Sequence, residues 1–256
     1  MGVARLLLVV AVAGGVLLAL TACAGEGEPQ AGADGPSAQE GRLTVYAAAS
    51  LTDVFPEIDP APRYSFGGSD ELATQIREGA PADVYAAASS RYPQEVYREG
   101  LVEKPVTFAS NRLVLVVPRD NPAGIERVGD VRRPGTKLVI GAEGVPVGDY
   151  TREALQELGL GRALANVVSN EDDVKGVLGK VALGEADGGF VYATDAVAAR
   201  GRVSVLELPK GAQPPIAYQI AVVAGSEHEE GARAFVRKVR SREGRRALAK
   251  AGFRLP

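Results

Sequence analysis

Five short segments share one chemical character: small, hydroxyl-bearing or glycine-rich residues stand immediately before a run with helical spacing. They are Ala49-Ser50, Gly67-Gly68-Ser69, Gly144-Val145-Pro146-Val147-Gly148, Asn170-Glu171-Asp172-Asp173 and Tyr192-Ala193-Thr194. The first N–H groups of a helix have no intrahelical partner and carry a partial positive charge, so each segment can offer neutral donors to an anion. Ser50, with Asp53 three residues on, fits the N-cap of a helix beginning at Leu51. Ser69 fits the cap of a second helix, whose Leu72 and Ile76 share a face before a stop at Gly79. Further helices are expected over Asp149–Leu158, Val174–Leu183 and Asp195–Arg200. Converging helix starts would hold a dianion without any formal cation, whereas each start taken singly is an ordinary cap of an α/β protein.

Other chemistries find less support. Ser50 and Ser69 could be imagined as nucleophiles of a hydrolase, but neither sits in a Gly-x-Ser-x-Gly elbow. The only imidazole, His228, lies in Glu227-His228-Glu229-Glu230 and reads as a surface residue, so the chain is not expected to be an enzyme. One His and one Cys exclude thiolate and ordinary zinc sites, and no metal ligand or cofactor is expected. Arg233, Arg237, Lys238, Arg240, Arg242, Arg245, Arg246 and Lys250 crowd the carboxyl end. No aromatic interleaves the cluster from Arg237 to Lys250, so it reads as a solvated helix face over Ala232, Phe235, Val236 and Val239 and not as a nucleic-acid surface.

The elements that must position the five segments are short β-rich runs alternating with helical patterns. Strands are expected at Leu43–Ala48, Asp83–Ala87, Leu113–Val117, Leu138–Gly141, Gly189–Val191, Val203–Leu208 and Ile216–Val223. The alternation implies an α/β fold. Consecutive apolar positions, as in Leu113-Val114-Leu115-Val116-Val117, suit strands covered on both faces, so largely parallel sheets are expected.

At the amino terminus Arg5 precedes an apolar stretch from Leu6 to Leu20 and the small residues Thr21, Ala22 and Cys23. Crossing a bilayer core takes about 20 apolar residues, and this shorter stretch contains Gly14 and Gly15, so residues 1–22 read as a secretory signal. Leu20-Thr21-Ala22-Cys23 resembles the lipobox of bacterial lipoproteins, which implies lipid attachment at Cys23 and an extracytoplasmic chain anchored to the membrane. Residues 23–41 lack large apolar side chains and read as a flexible tether. Setting aside Arg5 and the acids Glu26, Glu28, Asp34 and Glu40 leaves 28 charges of each sign in residues 42–256, so bulk charge selects no partner.

Leu43-Thr44-Val45-Tyr46-Ala47-Ala48-Ala49-Ser50-Leu51-Thr52 resembles the opening strand of periplasmic molybdate-binding proteins, the substrate-binding subunits of ABC transporters. The resemblance continues in order through Ile76–Val84, Gly144–Tyr150, Glu171–Leu178, Gly189–Val197 and the closing Ala251-Gly252-Phe253. It implies a two-lobed α/β fold of the periplasmic-binding-protein type II, with two crossover segments near Arg112 and Ala217. Lobe one is then 42–111 plus 218–256, and lobe two 112–217. The same resemblance implies that Ser50, Ser69, Val147, Val174 and Tyr192 hold molybdate or tungstate, with Val147 and Val174 acting through their backbone N–H groups. A transporter permease is the implied partner, and the chain is expected to act as a monomer.

Several residues depart from the family pattern. Gly67-Gly68-Ser69-Asp70 replaces a serine-rich run and sets a carboxylate beside the expected anion. Asp70 reads as a first-turn acid pointing to solvent, with acceptance of a phosphate proton as the alternative. Pro56, Pro60 and Pro62 curtail the helix after Ser50, and Val147 is larger than usual in its loop. Sulfate and phosphate therefore stay open as alternative ligands.

Overall fold

The computed structural model describes residues 41–256. The expected signal segment, Cys23 and the tether as far as Glu40 lie outside the described residues. Ten strands within them form two five-stranded sheets. The first holds β1 (Thr44–Ala48), β2 (Arg63–Gly67), β3 (Val84–Ala87), β4 (Val106–Ser110) and β10 (Ala217–Val222) in the order β2-β1-β3-β10-β4. The second holds β5 (Leu113–Pro118), β6 (Leu138–Gly141), β7 (Val167–Glu171), β8 (Gly188–Tyr192) and β9 (Val203–Glu207) in the order β7-β6-β8-β5-β9. Each sheet and the helices flanking it form one lobe of a two-lobed α/β fold, called lobe 1 and lobe 2 below.

The sheets are mixed and not largely parallel. In lobe 1, β1 runs parallel to β2 and β3, while β10 runs antiparallel to β3 and β4. In lobe 2, β6 runs parallel to β7 and β8, while β5 runs antiparallel to β8 and β9. Strands joined through helical crossovers share a direction. By contrast, β5 and β10 are entered straight from the other sheet and run against them. All six residues of β5 are buried, so its unbroken apolar run reports cover on both faces and says nothing about pairing direction.

Three strands carried no clear sequence signal: β2, β4 and β7. All three are sheet edges, where one side lacks a neighbour and polar residues are tolerated, as in Val167-Val168-Ser169-Asn170-Glu171.

The helices are α1 (Phe55–Ile58), α2 (Ser69–Arg77), α3 (Arg91–Arg98), α4 (Pro146–Glu157), α5 (Val174–Ala182), α6 (Ala193–Ala198), α7 (Glu229–Arg240) and α8 (Arg242–Lys250). No helix begins at Leu51. Ala49–Leu51 form one 3₁₀ turn, and α1 starts at Phe55, where Pro56 falls in the first turn and forfeits no hydrogen bond. In α4 the helix opens at Pro146, three residues before the expected Asp149, because proline is pre-set for that first position. The start of α6 is likewise two residues early, at Ala193.

The carboxyl-terminal helices bury one stripe and expose their basic residues. Ala232, Phe235 and Val239 of α7 face the core, and Phe235 meets Phe55 edge-on at 5.5 Å. Lys238 pairs with Asp59 at 3.0 Å and Lys250 with Glu57 at 2.7 Å. Phe253, in the closing Ala-Gly-Phe, packs edge-on against Tyr218 at 5.2 Å. That contact fixes an aromatic ring standing directly behind Ser50.

Candidate functional site

Ser50 follows β1, Ser69 follows β2, Val147 follows β6, Val174 follows β7 and Tyr192 ends β8. All five therefore lie at the carboxyl ends of parallel strands, where open α/β sheets present their ligand crevices. They line one cavity of about 20 Å³ between the lobes, together with Ala88, Val145, Pro146 and Asp173. That volume lies below the ~300–1,000 Å³ of pockets for drug-sized molecules, so it suits a ligand of only a few heavy atoms.

Neither serine acts as a helix cap. Ser50 Oγ lies 2.8 Å from the Tyr218 hydroxyl, inside the 3₁₀ turn. Gly68 occupies the N-cap position of α2, and Ser69 Oγ instead accepts the Ala88 N–H at 3.1 Å. Both hydroxyls are thereby turned toward the cavity. Asn111 Nδ2 donates to Thr194 Oγ1 at 2.9 Å and approaches the Tyr218 oxygen at 3.4 Å. Either hydroxyl can donate in the Ser50–Tyr218 pair; with the phenol as donor, the Ser50 proton is left for the cavity. Ser69 Oγ accepts from Ala88 and keeps its own O–H to give.

Tyr192 completes the set from lobe 2. Its side chain is buried, its ring meets Tyr218 edge-on at 5.9 Å, and its hydroxyl has no hydrogen-bond partner among the described residues. Burial, reinforced by the neighbouring Tyr218, holds its ionisation well above the ordinary tyrosine value, so the group stays a neutral donor. Val147 and Val174 lie in the first turns of α4 and α5, where the N–H groups have no partner within the helix. Asp173 caps α5, its Oδ1 accepting Gly176 N–H at 2.9 Å.

Asp70 does not point to solvent. It is half-buried, its Oδ1 is enclosed without a partner among the described residues, and it does not line the cavity. Burial raises its ionisation, with Asp149 and Asp172 adding to the effect. A β-carbon at position 68 would stand 2.8 Å from Asp70 Oδ1 and 2.5 Å from the Asp172 carbonyl oxygen. At Gly68, which lines the cavity, the two lobes thus stand too close for a β-carbon.

A charged trio missed in the sequence stands behind α5. Lys175 Nζ lies 2.8 Å from Asp53 Oδ2 in lobe 1 and 3.2 Å from Asp195 Oδ1 in lobe 2. Asp195 is wholly buried, and burial, only partly countered by Lys175, raises its carboxyl to about 6. A carboxyl whose folded value exceeds its ordinary 3.8 contributes stability that is complete below about pH 4 and is lost as pH rises through about 6. Removing that titration with Asp195→Asn should flatten the stability curve between those limits relative to wild type. The difference should approach about 3 kcal/mol, read by urea unfolding at pH 4, 5, 6 and 7. Parallel curves for the two proteins would contradict the burial argument.

His228 is not a free surface residue. It is partly buried, with Nδ1 3.3 Å from Asp83 Oδ1, and Ser226 Oγ donates to the same carboxylate. Asp83 precedes β3 while the cavity residue Ala88 follows it, so this trio sits at the far end of the strand. No imidazole touches Ser50 or Ser69, and the Ser226 proton goes to a carboxylate instead of an imidazole base. Among the described residues no His, Cys, Asp and Glu group is arranged to hold a metal ion.

Two lobes meeting over a small cavity lined by neutral donors define a solute-binding protein. The chain belongs to the family of bacterial extracellular solute-binding proteins, whose model matches residues 43–254. Within that family it is 36% identical to the molybdate-binding protein ModA of Mycobacterium tuberculosis over 247 residues, covering 93% of each chain. It is 34% identical to the molybdate-binding protein ModA of Escherichia coli over 207 residues, 73% of this chain and 79% of that one. The fold matches the periplasmic molybdate-binding protein of Azotobacter vinelandii with a TM-score of 0.75 at 24% identity, covering 84% of this chain and 100% of that one.

Proposed function

We propose that this protein binds molybdate or tungstate outside the cytoplasm and delivers it to the permease of an ABC transporter. The carrying observation is the buried Tyr192 hydroxyl, which has no partner among the described residues and lines the same small cavity as Ser50 and Ser69. A buried donor without an acceptor is costly unless a ligand supplies one. A fully ionised tetrahedral oxyanion accepts at every oxygen, so it can take the three hydroxyls and the Val147 and Val174 amides together. Donors to a charged acceptor contribute about 1.5–3 kcal/mol each, enough in combination for tight binding without a counter-cation. The metal travels as its oxyanion, so no cofactor is needed, and one chain supplies every donor, so a monomer suffices. Cys23 would carry the lipid that keeps the protein beside its permease.

Monohydrogen phosphate brings a proton that needs an acceptor, and the one carboxylate lining the cavity among the described residues, Asp173, is held as the α5 cap by the Gly176 N–H on its Oδ1. Sulfate has the right charge and shorter bonds, and so would reach fewer donors at once. Calorimetric titration with molybdate, tungstate, sulfate and phosphate at one ionic strength tests the reading. Molybdate and tungstate should bind far more tightly than the other two, and a preference for sulfate or phosphate would reassign the ligand. Ser50→Ala and Ser69→Ala should each weaken molybdate by about 1.5 kcal/mol, the lower end of the range, because a water can replace the lost hydroxyl. Undiminished affinity in both variants would refute the site.

A further inference from the structure

The two amide-bearing segments of lobe 2 are each held from lobe 1 by side chains that do not line the cavity. The Tyr92 hydroxyl, on α3, donates to the carbonyl of Gly144, just ahead of the α4 start that carries Val147. Gly144 adopts a φ of +90°, and its N–H is bonded to Asp149 Oδ1 at 2.8 Å. Both polar groups of that glycine are therefore engaged, one by its own lobe and one by the opposite lobe. On the other flank Lys175, next to Val174, reaches Asp53 of lobe 1 at 2.8 Å while resting on the buried Asp195.

We infer that Tyr92 and the Asp53–Lys175 bridge are positioning contacts that hold the Val147 and Val174 amides against lobe 1 and set how long a bound oxyanion stays. The inference rests on the oxyanion reading of the cavity. Each contact joins one lobe to the other, so separating the lobes breaks both, while approach of the anion to an open cleft involves neither. Their effect therefore falls on dissociation. The two contacts differ in kind. Tyr92 is 6% exposed and makes a neutral hydrogen bond shielded from salt, whereas the Asp53 side chain is 63% exposed and its ion pair is screened. The Tyr92 ring packs in lobe 1 among residues that include Leu72 and Val96, and phenylalanine preserves that packing.

Stopped-flow dissociation of molybdate from the full chain, followed by tyrosine fluorescence, tests the inference in Tyr92→Phe, Asp53→Asn and Asp53→Glu. Tyr92→Phe should release the anion about three- to tenfold faster at every salt concentration. Asp53→Asn should release it about twofold faster at low salt and at the wild-type rate near 1 M salt, with Asp53→Glu restoring the low-salt rate. Association rates and the melting temperature without oxyanion should not move. Unchanged dissociation in both Tyr92→Phe and Asp53→Asn overturns the inference. So does a lowered melting temperature that accounts for the faster release. A wild-type protein that binds none of the four oxyanions overturns the cavity reading itself and the inference with it. The former failures leave wild-type binding intact, so the two are told apart.

Discussion

Tyr192→Phe should lower molybdate affinity by about 1.5–3 kcal/mol while leaving the stability of the unliganded protein close to wild type. Both effects follow from one atom. The hydroxyl lines the cavity, lacks a partner among the described residues and belongs to a fully buried ring. Without oxyanion, water in the cleft can serve the hydroxyl, and phenylalanine keeps the edge-on contact with Tyr218, so its loss costs the free protein little. In the complex the same hydroxyl gives a charge-assisted bond, which phenylalanine cannot replace. Calorimetry gives the affinity and thermal unfolding without oxyanion gives the stability. A variant that binds as wild type, or one that melts well below it, would show that the hydroxyl is structural.

That hydroxyl was legible in the sequence, but the reasons for several of its partners were not. Ser50 and Ser69 were marked by small, hydroxyl-bearing turns before helical runs. Their oxygens, however, serve Tyr218 and Ala88, contacts spanning 168 and 19 residues that no local pattern encodes. Tyr218 and Asn111 carried no signal because each matters only after the chain has crossed between sheets and returned. Interior strands such as β5 and β8 stood out by unbroken burial, while the edge strands β2, β4 and β7 did not. Helix starts were displaced wherever a proline or a strand end fixed the first turn, as at Pro146 and Ala193. Charge was the least legible. Lys175 sits in an ordinary helical run, and only the fold sets it between a lobe 1 carboxylate and a buried lobe 2 carboxylate. Asp70 reads as a solvent-facing acid until the opposite lobe is brought against it.

Closeness of the lobes sets the other large effect, which Gly68→Ala isolates. Position 68 has φ −61° and ψ 137°, a conformation open to any residue, so alanine imposes no backbone strain on lobe 1. Its β-carbon would nevertheless stand 2.5 Å from the Asp172 carbonyl oxygen, which belongs to the segment leading into α5 in lobe 2. Real contacts of that kind require roughly another ångström, and backbone on both sides leaves no flexible side chain to yield. The lobes would therefore halt short of the distance at which Tyr192 and the Val174 amide reach an anion held by Ser50 and Ser69. Losing two charge-assisted donors at about 1.5–3 kcal/mol each predicts a fall in affinity of about 3 kcal/mol or more. Stability without oxyanion should change little, since the clash arises only when the lobes meet. Calorimetry paired with unfolding of the free protein checks both halves. An alanine variant that binds molybdate as tightly as wild type would mean that binding does not require the lobes to approach this closely.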